Sequence, residues 1–451
     1  MAKQSGKAER NGKKWFWQLH HWVGLYTGIL IGVLSLTGAV AVFIPEIDGL
    51  IQRYHYNALS SAPSNGLPQF SKSIDSLTRQ FPDYRSWSIR LPHNPRHAAV
   101  LDMTIRPKTG RTQRMEFFID IGKDRVLGHR KWQNSLANYL RQIHVRLYDG
   151  IWGRQLVGIG GIALAFVALT GLLIYGNFMK KQAWPNFRKT LDTRIRMADW
   201  HKILGMSALA FNLVIALTGA WLGLQPWLAR WFDISAPRKY KSEIPMEAKD
   251  DKEIVVDWDV ALRASHEAFP DLKPLQLLVS SNGAGTITLR GNIPGTIYER
   301  DVNMIVLSKI DYKPLFKYDL REQPISHQLY YIQEALHFGD FGGLPLKVLY
   351  AILGLTSGFL SISGFVIFLF RRKKKMRKTD NPWKAIIVYT LLTILFLSFI
   401  AFITFTIGYN LASTIAEIVI NTLLIGLISY ALVRFSIKKF SQKRQFTSTS
   451  K

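Results

Sequence analysis

Histidines at repeated spacing are the feature of this chain most able to do chemistry. His20-His21-Trp22-Val23-Gly24-Leu25 leads on to Leu36-Thr37-Gly38-Ala39, and His201-Lys202-Ile203-Leu204-Gly205-Met206 leads on to Leu217-Thr218-Gly219-Ala220. The two phrases lie 181 residues apart, and in both a Gly follows the His by 4. A second pair repeats as well: His144 precedes Thr170-Gly171 by the same 26 and 27 residues that separate His337 from Ser363-Gly364. Each of the four stands near the start of an apolar stretch. Paired axial ligands for a metal cofactor inside a membrane fit such an arrangement.

Two imidazoles approaching one iron from opposite sides fill both axial positions of a haem, which favours electron transfer over oxygen binding. His20 would face His201, and His144 would face His337. Zinc is the rival metal, but two histidines alone make a poor zinc site. Asp149 near His144 and Asp340 near His337 keep zinc open at that second pair. Gly24, Gly28 and Gly32, with Gly205 repeating the first, could admit a flat macrocycle close to the backbone. They could equally form a helix-packing seam of small residues. His21 could replace His20 as ligand, although the alignment with His201 puts His20 in register. His129 and His327 have no repeated partner, and His55, His93, His97 and His266 lie in polar segments.

The elements that must position these side chains are membrane helices. Apolar stretches at 22–44, 156–178, 203–225, 346–370, 384–408 and 412–434 each approach or exceed the roughly 20 residues a spanning helix needs. From His20 to Gly38 a helix rises about 27 Å at ~1.5 Å per residue, so the two pairs would lie in layers most of a bilayer core apart. The net charge of +27 is concentrated at the N-terminus, in the loop with Lys180 to Arg196, in Arg371 to Lys375 and in the tail. All four lie on one side when six helices are threaded in order, as the positive-inside rule asks. Lipid headgroups therefore account for the charge, and nucleic acid is not expected. The chain contains no cysteine, which excludes thiolate haem ligation and Cys-bound iron–sulfur clusters. The first apolar run is too long for a typical signal-peptide core and already contains the repeated phrase, so it reads as a retained helix.

Between the spans lie two polar segments with matching order. Phe70 to Phe81 has helical spacing before Pro82-Asp83, and strand-like runs follow at 87–91, 98–105 and 114–121. Residues 258–269 form the corresponding helix before Pro270-Asp271, with strand-like runs at 275–279, 286–290 and 298–307. Amphipathic stretches 132–144 and 325–337 then carry His144 and His337. The expected fold is a membrane α-helical bundle with α+β extramembrane domains. It is built from two parallel repeats of helix, small domain and helix, related by an axis along the membrane normal, plus a C-terminal hairpin, giving six transmembrane helices. The boundaries read as 1–44 (N-terminus and first span), 45–131 (first small domain), 132–178 (amphipathic helix and second span) and 179–200 (basic loop). They continue as 201–226 (third span), 227–324 (second small domain), 325–370 (amphipathic helix and fourth span), 371–383 (basic loop), 384–435 (hairpin, with Glu417 near one end of the sixth span) and 436–451 (basic tail).

Taken together, Leu-His-His-Trp-Val-Gly-Leu with Leu-Thr-Gly, Gln142-Ile143-His144, His201-Lys-Ile-Leu-Gly, and Leu336-His337-Phe338-Gly339 with Gly342-Gly343-Leu344 resemble the PepSY-associated transmembrane family over residues 15–372. The small domains resemble PepSY domains. The resemblance implies a bacterial inner-membrane protein with both termini cytoplasmic, holding two b-type haems on His20, His201, His144 and His337. Gly24 and Gly205 would lie beside the cofactor. It further implies a ferric-siderophore or ferric-chelate reductase, moving electrons from the cytoplasmic side to the periplasm. His21 departs from the family, which more often has Arg there.

No Gly-x-Gly-x-x-Gly fingerprint follows a strand, so no bound flavin or NAD is expected. The donor would then be a separate flavoprotein or a quinol. Two other functions are compatible with the pattern. A ligand- or protease-binding sensor would use the helices as anchors and need no repeated histidines. A transporter of iron chelates or metal ions would want polar groups at mid-membrane, where the first four spans offer chiefly Ser35, Asn212 and threonines.

Overall fold

In the computed structural model four helical stretches are long and apolar enough to cross a bilayer: Lys14–Ala41, Gly150–Tyr175, Leu209–Phe232 and Asp340–Arg371, among the described residues. The structure describes residues 2–52, 68–92, 97–106, 112–175, 187–189, 192–237, 240, 256–279, 285–298 and 300–373, with scattered positions between 395 and 423. The fifth and sixth spans expected at 384–408 and 412–434 lie largely outside the described residues.

The helices in chain order are α1 (Ala2–Ala41), α2 (Ile44–Ile51), α3 (Ser71–Gln80), α4 (Leu136–Arg146) and α5 (Gly150–Tyr175). They continue with α6 (Thr193–Ser207), α7 (Leu209–Phe232), α8 (Trp258–Ala268), α9 (Ile325–Phe338) and α10 (Gly343–Lys373). The third apolar helix differs from expectation. It does not run unbroken from 203 but breaks at Ala208, which leaves helical geometry at φ −94° and ψ 6° between α6 and α7. His201 therefore sits on α6, while the long apolar segment is α7.

Around the bundle α1 packs against α5 and α10, α5 against α7, and α10 against α6. Close approach of α5 and α7 rests on small residues. A methyl group at Gly158 would stand 2.7 Å from Leu224, and one at Gly161 would stand 2.6 Å from the Ala220 nitrogen. The packing seam of small residues thus runs through Gly158, Gly161 and Gly223. It does not run through Gly24 and Gly28, which line a cavity.

The polar segments hold strands β1 (Tyr84–Arg90), β2 (Ala99–Ile105), β3 (Gln113–Asp120), β4 (Arg125–Lys131), β5 (Lys273–Val279), β6 (Thr286–Asn292), β7 (Asn303–Ser308) and β8 (Pro314–Tyr318). They form one antiparallel eight-stranded sheet of order β4-β3-β2-β1-β5-β6-β7-β8. The two segments are joined edge to edge, with Ile89 opposite Leu277. Pairing leaves neither β1 nor β5 as an open edge, an outcome that two separately read domains did not anticipate. β4 and β8 were not anticipated either, because their sequences are charged where a strand would show apolar alternation: exposed Arg125 and Lys131 with ion-paired Arg130 in the first, and exposed Lys317 in the second.

Period-two alternation divides the sheet. Ile89, Leu101, Met103, Phe117, Ile119, Leu277, Leu289 and Ile305 point to one face and pack with Phe70 at the start of α3, with Leu77 of α3, and with Trp258 and Ala261 of α8. The opposite face meets the α2, α4 and α9 side. Val302, Met304, Val306 and Tyr318 pack there with Tyr331 of α9, and Arg130 reaches Asp48 of α2.

Capping fixes the short helices. Ser135 begins α4 by accepting from the Asn138 amide, and Asp257 begins α8 by accepting from Asp259 and Val260, each satisfying an otherwise orphan donor. Asp124, from the β3–β4 turn, serves α3 in trans by accepting from Lys72 and Ser73. After α4 the chain reverses sharply through Leu147 (φ 48°) and Tyr148 (φ 63°). Left-handed geometry costs roughly 1–2 kcal/mol for such side chains. Burial of Tyr148, packed against the tilted ring of Tyr139, offsets it, and the turn delivers α5 directly after His144.

Candidate functional site: two histidine pairs across the bundle

His20, on α1, faces His201, on α6, with ring centroids 6.2 Å apart and planes at 89°. His144, on α4, faces His337, on α9, at 6.3 Å and 31°. These are the two pairs that the spacing singled out. His21 is not in this relationship: it stacks on Trp17 at 5.0 Å and lies against Phe368 at 5.6 Å. Two imidazole nitrogens each about 2 Å from a shared first-row metal ion place their ring centroids roughly 6 Å apart, which matches both separations.

The structure adds partners that spacing did not reveal. Each histidine lies against a hydroxyl-Gly dipeptide on the helix that packs beside it. His20 Nδ1 donates to the Val167 carbonyl at 2.9 Å and lies 3.2 Å from Thr170 Oγ1. His201 Nδ1 is 2.9 Å from Ser363 Oγ. His144 Nδ1 is 3.1 Å from Thr37 Oγ1, and His337 Nδ1 is 3.0 Å from Thr218 Oγ1.

Each hydroxyl spends its one hydrogen on its own helix. Thr170 donates to Phe166, Ser363 to Leu360, Thr37 to Val33 and Thr218 to Val214. An oxygen so engaged can only accept from the imidazole. Nδ1 therefore carries the proton in all four rings, and Nε2 keeps its lone pair. A metal-binding histidine is oriented in this way, with its second nitrogen donating to an acceptor.

The adjacent glycine makes room for the ring. A methyl group would stand 2.9 Å from His144 at Gly38, 3.2 Å from His337 at Gly219, 3.3 Å from His20 at Gly171 and 3.5 Å from His201 at Gly364. The sequence did show these dipeptides, repeating at constant offset from the histidines. What it could not show is that the dipeptide of one helix serves the histidine of another: α1 and α5 reciprocally hold His144 and His20, and α7 and α10 hold His337 and His201.

A cavity of about 610 Å³ opens beside His20 and His201 and is lined by Gly24, Gly28, Gly205 and Met206 among others. That volume falls within the roughly 300–1,000 Å³ of cofactor pockets. A side chain at Gly28 would have nothing within 4 Å, so its missing Cβ leaves the space open. Lys202 and Arg371 give the rim positive charge, and Asn212 and Ser357 line the cavity's deeper part. Ser357 donates to Asn212 there.

Among the described residues no group of three or more His, Asp or Glu side chains gathers as a metal cluster. Asp340 is taken up by Arg300 at 2.6 Å, with Lys347 at 3.8 Å, and does not complete a zinc site with His337. Two opposed nitrogens without further ligands suit a metal whose remaining positions are filled by a planar macrocycle. The donor set, the free Nε2 atoms and the glycine-lined space all fit a bis-histidine haem.

Four apolar helices, a two-layer arrangement of histidine pairs and a covering sheet define a membrane helical protein with an α+β extramembrane part. The chain belongs to the PepSY-associated TM region family, whose pattern spans residues 17–371. It is similar to an uncharacterized protein of Pseudomonas aeruginosa, 24% identical over 257 residues, which cover 52% of this chain and 63% of that protein.

Proposed function

We propose that this protein carries electrons across the bacterial inner membrane and reduces ferric chelates on the side covered by the sheet. In this reading it consists of two parallel repeats with a C-terminal hairpin, six spans and cytoplasmic termini. The observation that carries it is the matched arrangement of the four histidines: each Nδ1 held against a hydroxyl of a packed helix, and each ring opposed to a partner at 6.2 or 6.3 Å. A b-type haem at each pair would supply a one-electron couple. Everything else is done by the chain.

His20, His201, His144 and His337 would hold the iron, while Thr170, Ser363, Thr37 and Thr218 keep the rings from turning. Gly24, Gly28 and Gly205 leave flat space, and Lys202 and Arg371 are placed to meet carboxylates at the rim. Gly38 touches His144 on the same α1 that bears His20, so the layers are separated by about 27 Å of helix at ~1.5 Å per residue. The apolar side chains between them exclude water from that distance. Each ferric chelate takes one electron to become ferrous. A two-electron donor, a reduced flavoprotein or a quinol, would serve two chelates.

A visible spectrum of the detergent-purified protein, expressed with ample haem, tests the proposal. A dithionite-reducible b-type spectrum at about two haems per chain is expected, with about one lost in His201→Ala and one in His337→Ala. A colourless protein would overturn the reading and favour a ligand-binding sensor anchored by its helices.

A further inference from the structure

The cavity beside His20 and His201 has walls that correspond position by position. The offset of 181 residues that carries His20 to His201 also carries Gly24 to Gly205 and Ile31 to Asn212. The offset of 193 that carries His144 to His337 also carries Leu164 to Ser357 and Ala168 to Ser361. All of these residues except His144 and His337 line the cavity. The match is one of place but not everywhere of chemistry. Ile31, Leu164 and Ala168 are apolar, whereas Asn212, Ser357 and Ser361 are polar.

The polar wall is joined across two helices. Ser357 of α10 donates to Oδ1 of Asn212 on α7, and each of the two residues is only 4% exposed. The NH2 group of Asn212 has no acceptor among the described residues and is left to the cavity that Asn212 lines. A buried donor without a partner costs free energy until an occupant meets it. Ser357 also takes up less volume than its counterpart Leu164, which leaves more room on the α10 side.

His20 comes from α1 and His201 from α6. A flat occupant between them turns its edges to α5 and α10, the helices whose Thr170 and Ser363 hold the two rings. A b-type haem is alike on its two faces but not at its two edges. With its carboxylates at the Lys202 and Arg371 rim, its far end carries a vinyl group on one side and a methyl group on the other, and a half-turn exchanges them. Two matching walls could not tell these orientations apart. We infer that Asn212, with Ser357 and Ser361, selects one of them by drawing the vinyl edge to α10. The vinyl is the larger substituent, and its π electrons accept a weak N–H bond, enough to favour one orientation by about five-fold. Resting on the haem reading, the inference makes these three residues specificity determinants for the macrocycle.

The ratio of the two orientations is read from the hyperfine-shifted ring-methyl NMR signals of the oxidised full-length protein in detergent. A parent carrying His337→Ala leaves only the haem at His20 and His201 to report. One set of signals should exceed the other by about five-fold. Replacing the polar residues by their counterparts, Asn212→Ile with Ser357→Leu and Ser361→Ala, should bring the two sets to near equality. So should the opposite exchange, Ile31→Asn with Leu164→Ser and Ala168→Ser, which makes both walls polar. The single change Asn212→Leu, of nearly equal volume, should at least halve the ratio even where a triple exchange does not load haem. Two equal sets in the parent, or the parent's ratio kept in any haem-loaded variant, overturns the inference and leaves the reductase reading in place. A wild-type protein without haem overturns the reductase reading, and the selection with it.

Discussion

Gly38 lies against His144 so closely that a methyl group added there would stand 2.9 Å from Cε1 of the ring. Neither residue could be guessed to touch the other from its own helix. Their contact is one of four of the same kind, and the four differ in tightness. Alanine substitution should therefore have a graded effect in the order of closeness: Gly38 most, then Gly219 at 3.2 Å and Gly171 at 3.3 Å, with Gly364 at 3.5 Å least affected. Gly38→Ala should deplete or broaden the sheet-side haem signal, and Gly364→Ala should leave both signals near wild type. Haem content and redox titration of the four variants check the order. An equal effect at all four positions would count against the glycines as ring seats.

Thr218 fixes the tautomer of His337 by accepting from Nδ1 while donating to Val214. Thr218→Val keeps the shape and removes the acceptor. Haem retention at that pair should fall about 10- to 100-fold, the usual cost of losing such an orienting partner, while Thr218→Ser should restore it. Haem transfer to apomyoglobin measures the retention. Wild-type behaviour of the valine variant would show that the hydroxyl does not orient the ring.

Arg130 bridges Asp48 of α2 and the fully buried Glu116 of β3, tying the short helix that follows the first apolar span to the sheet. Arg130→Met strands the buried Asp48 carboxylate and leaves Glu116 with Arg90 alone, a loss of about 3–5 kcal/mol for breaking one side of a buried pair. Thermal unfolding should shift markedly downward, and Lys72→Met, on the exposed start of α3, should not shift it. Similar melting of the two variants would deny the bridge its structural role.

Acid should weaken the sheet partly through Asp319. Burial opposes its charge, but Arg321 outweighs this, with Nη2 at 2.7 Å and Nε at 3.0 Å, and holds the carboxylate below its ordinary value. A depressed folded-state pKa gives stability that is full above the unfolded value, about 3.9, and is lost as pH falls through the folded one. The melting difference between wild type and Asp319→Asn should therefore be largest near neutrality and shrink below pH about 4. A difference independent of pH between 7 and 3 would rule this contribution out.

Some of this organisation is local and can be read along the chain. Runs of apolar residues at 22–44 and 156–178 need lipid or protein around them whatever their neighbours, so they announce spanning helices. Phe70 to Phe81 and Trp258 to Phe269 carry their own 3.6-residue periodicity and formed helices within a residue or two of expectation. β4 and β8 escaped notice because their side chains face water or ion-pair partners supplied from elsewhere, Asp48 for Arg130 among them. The break at Ala208 carries no Pro or Gly to mark it.

The sequence by itself determined which histidines are equivalent, because constant offsets along a helix fix constant heights and faces. It also determined that Thr-Gly or Ser-Gly accompanies each of them. Only the tertiary structure decided that His20 rather than His21 faces His201, that each dipeptide serves a neighbouring helix, and that Nε2 is the nitrogen left free. The physical reason is that a hydrogen bond and a ring seat are relations between helices 107 to 162 residues apart in sequence. The choice between adjacent histidines depends on a rotation of about 100° about the helix axis, which only packing against α5 and α10 sets.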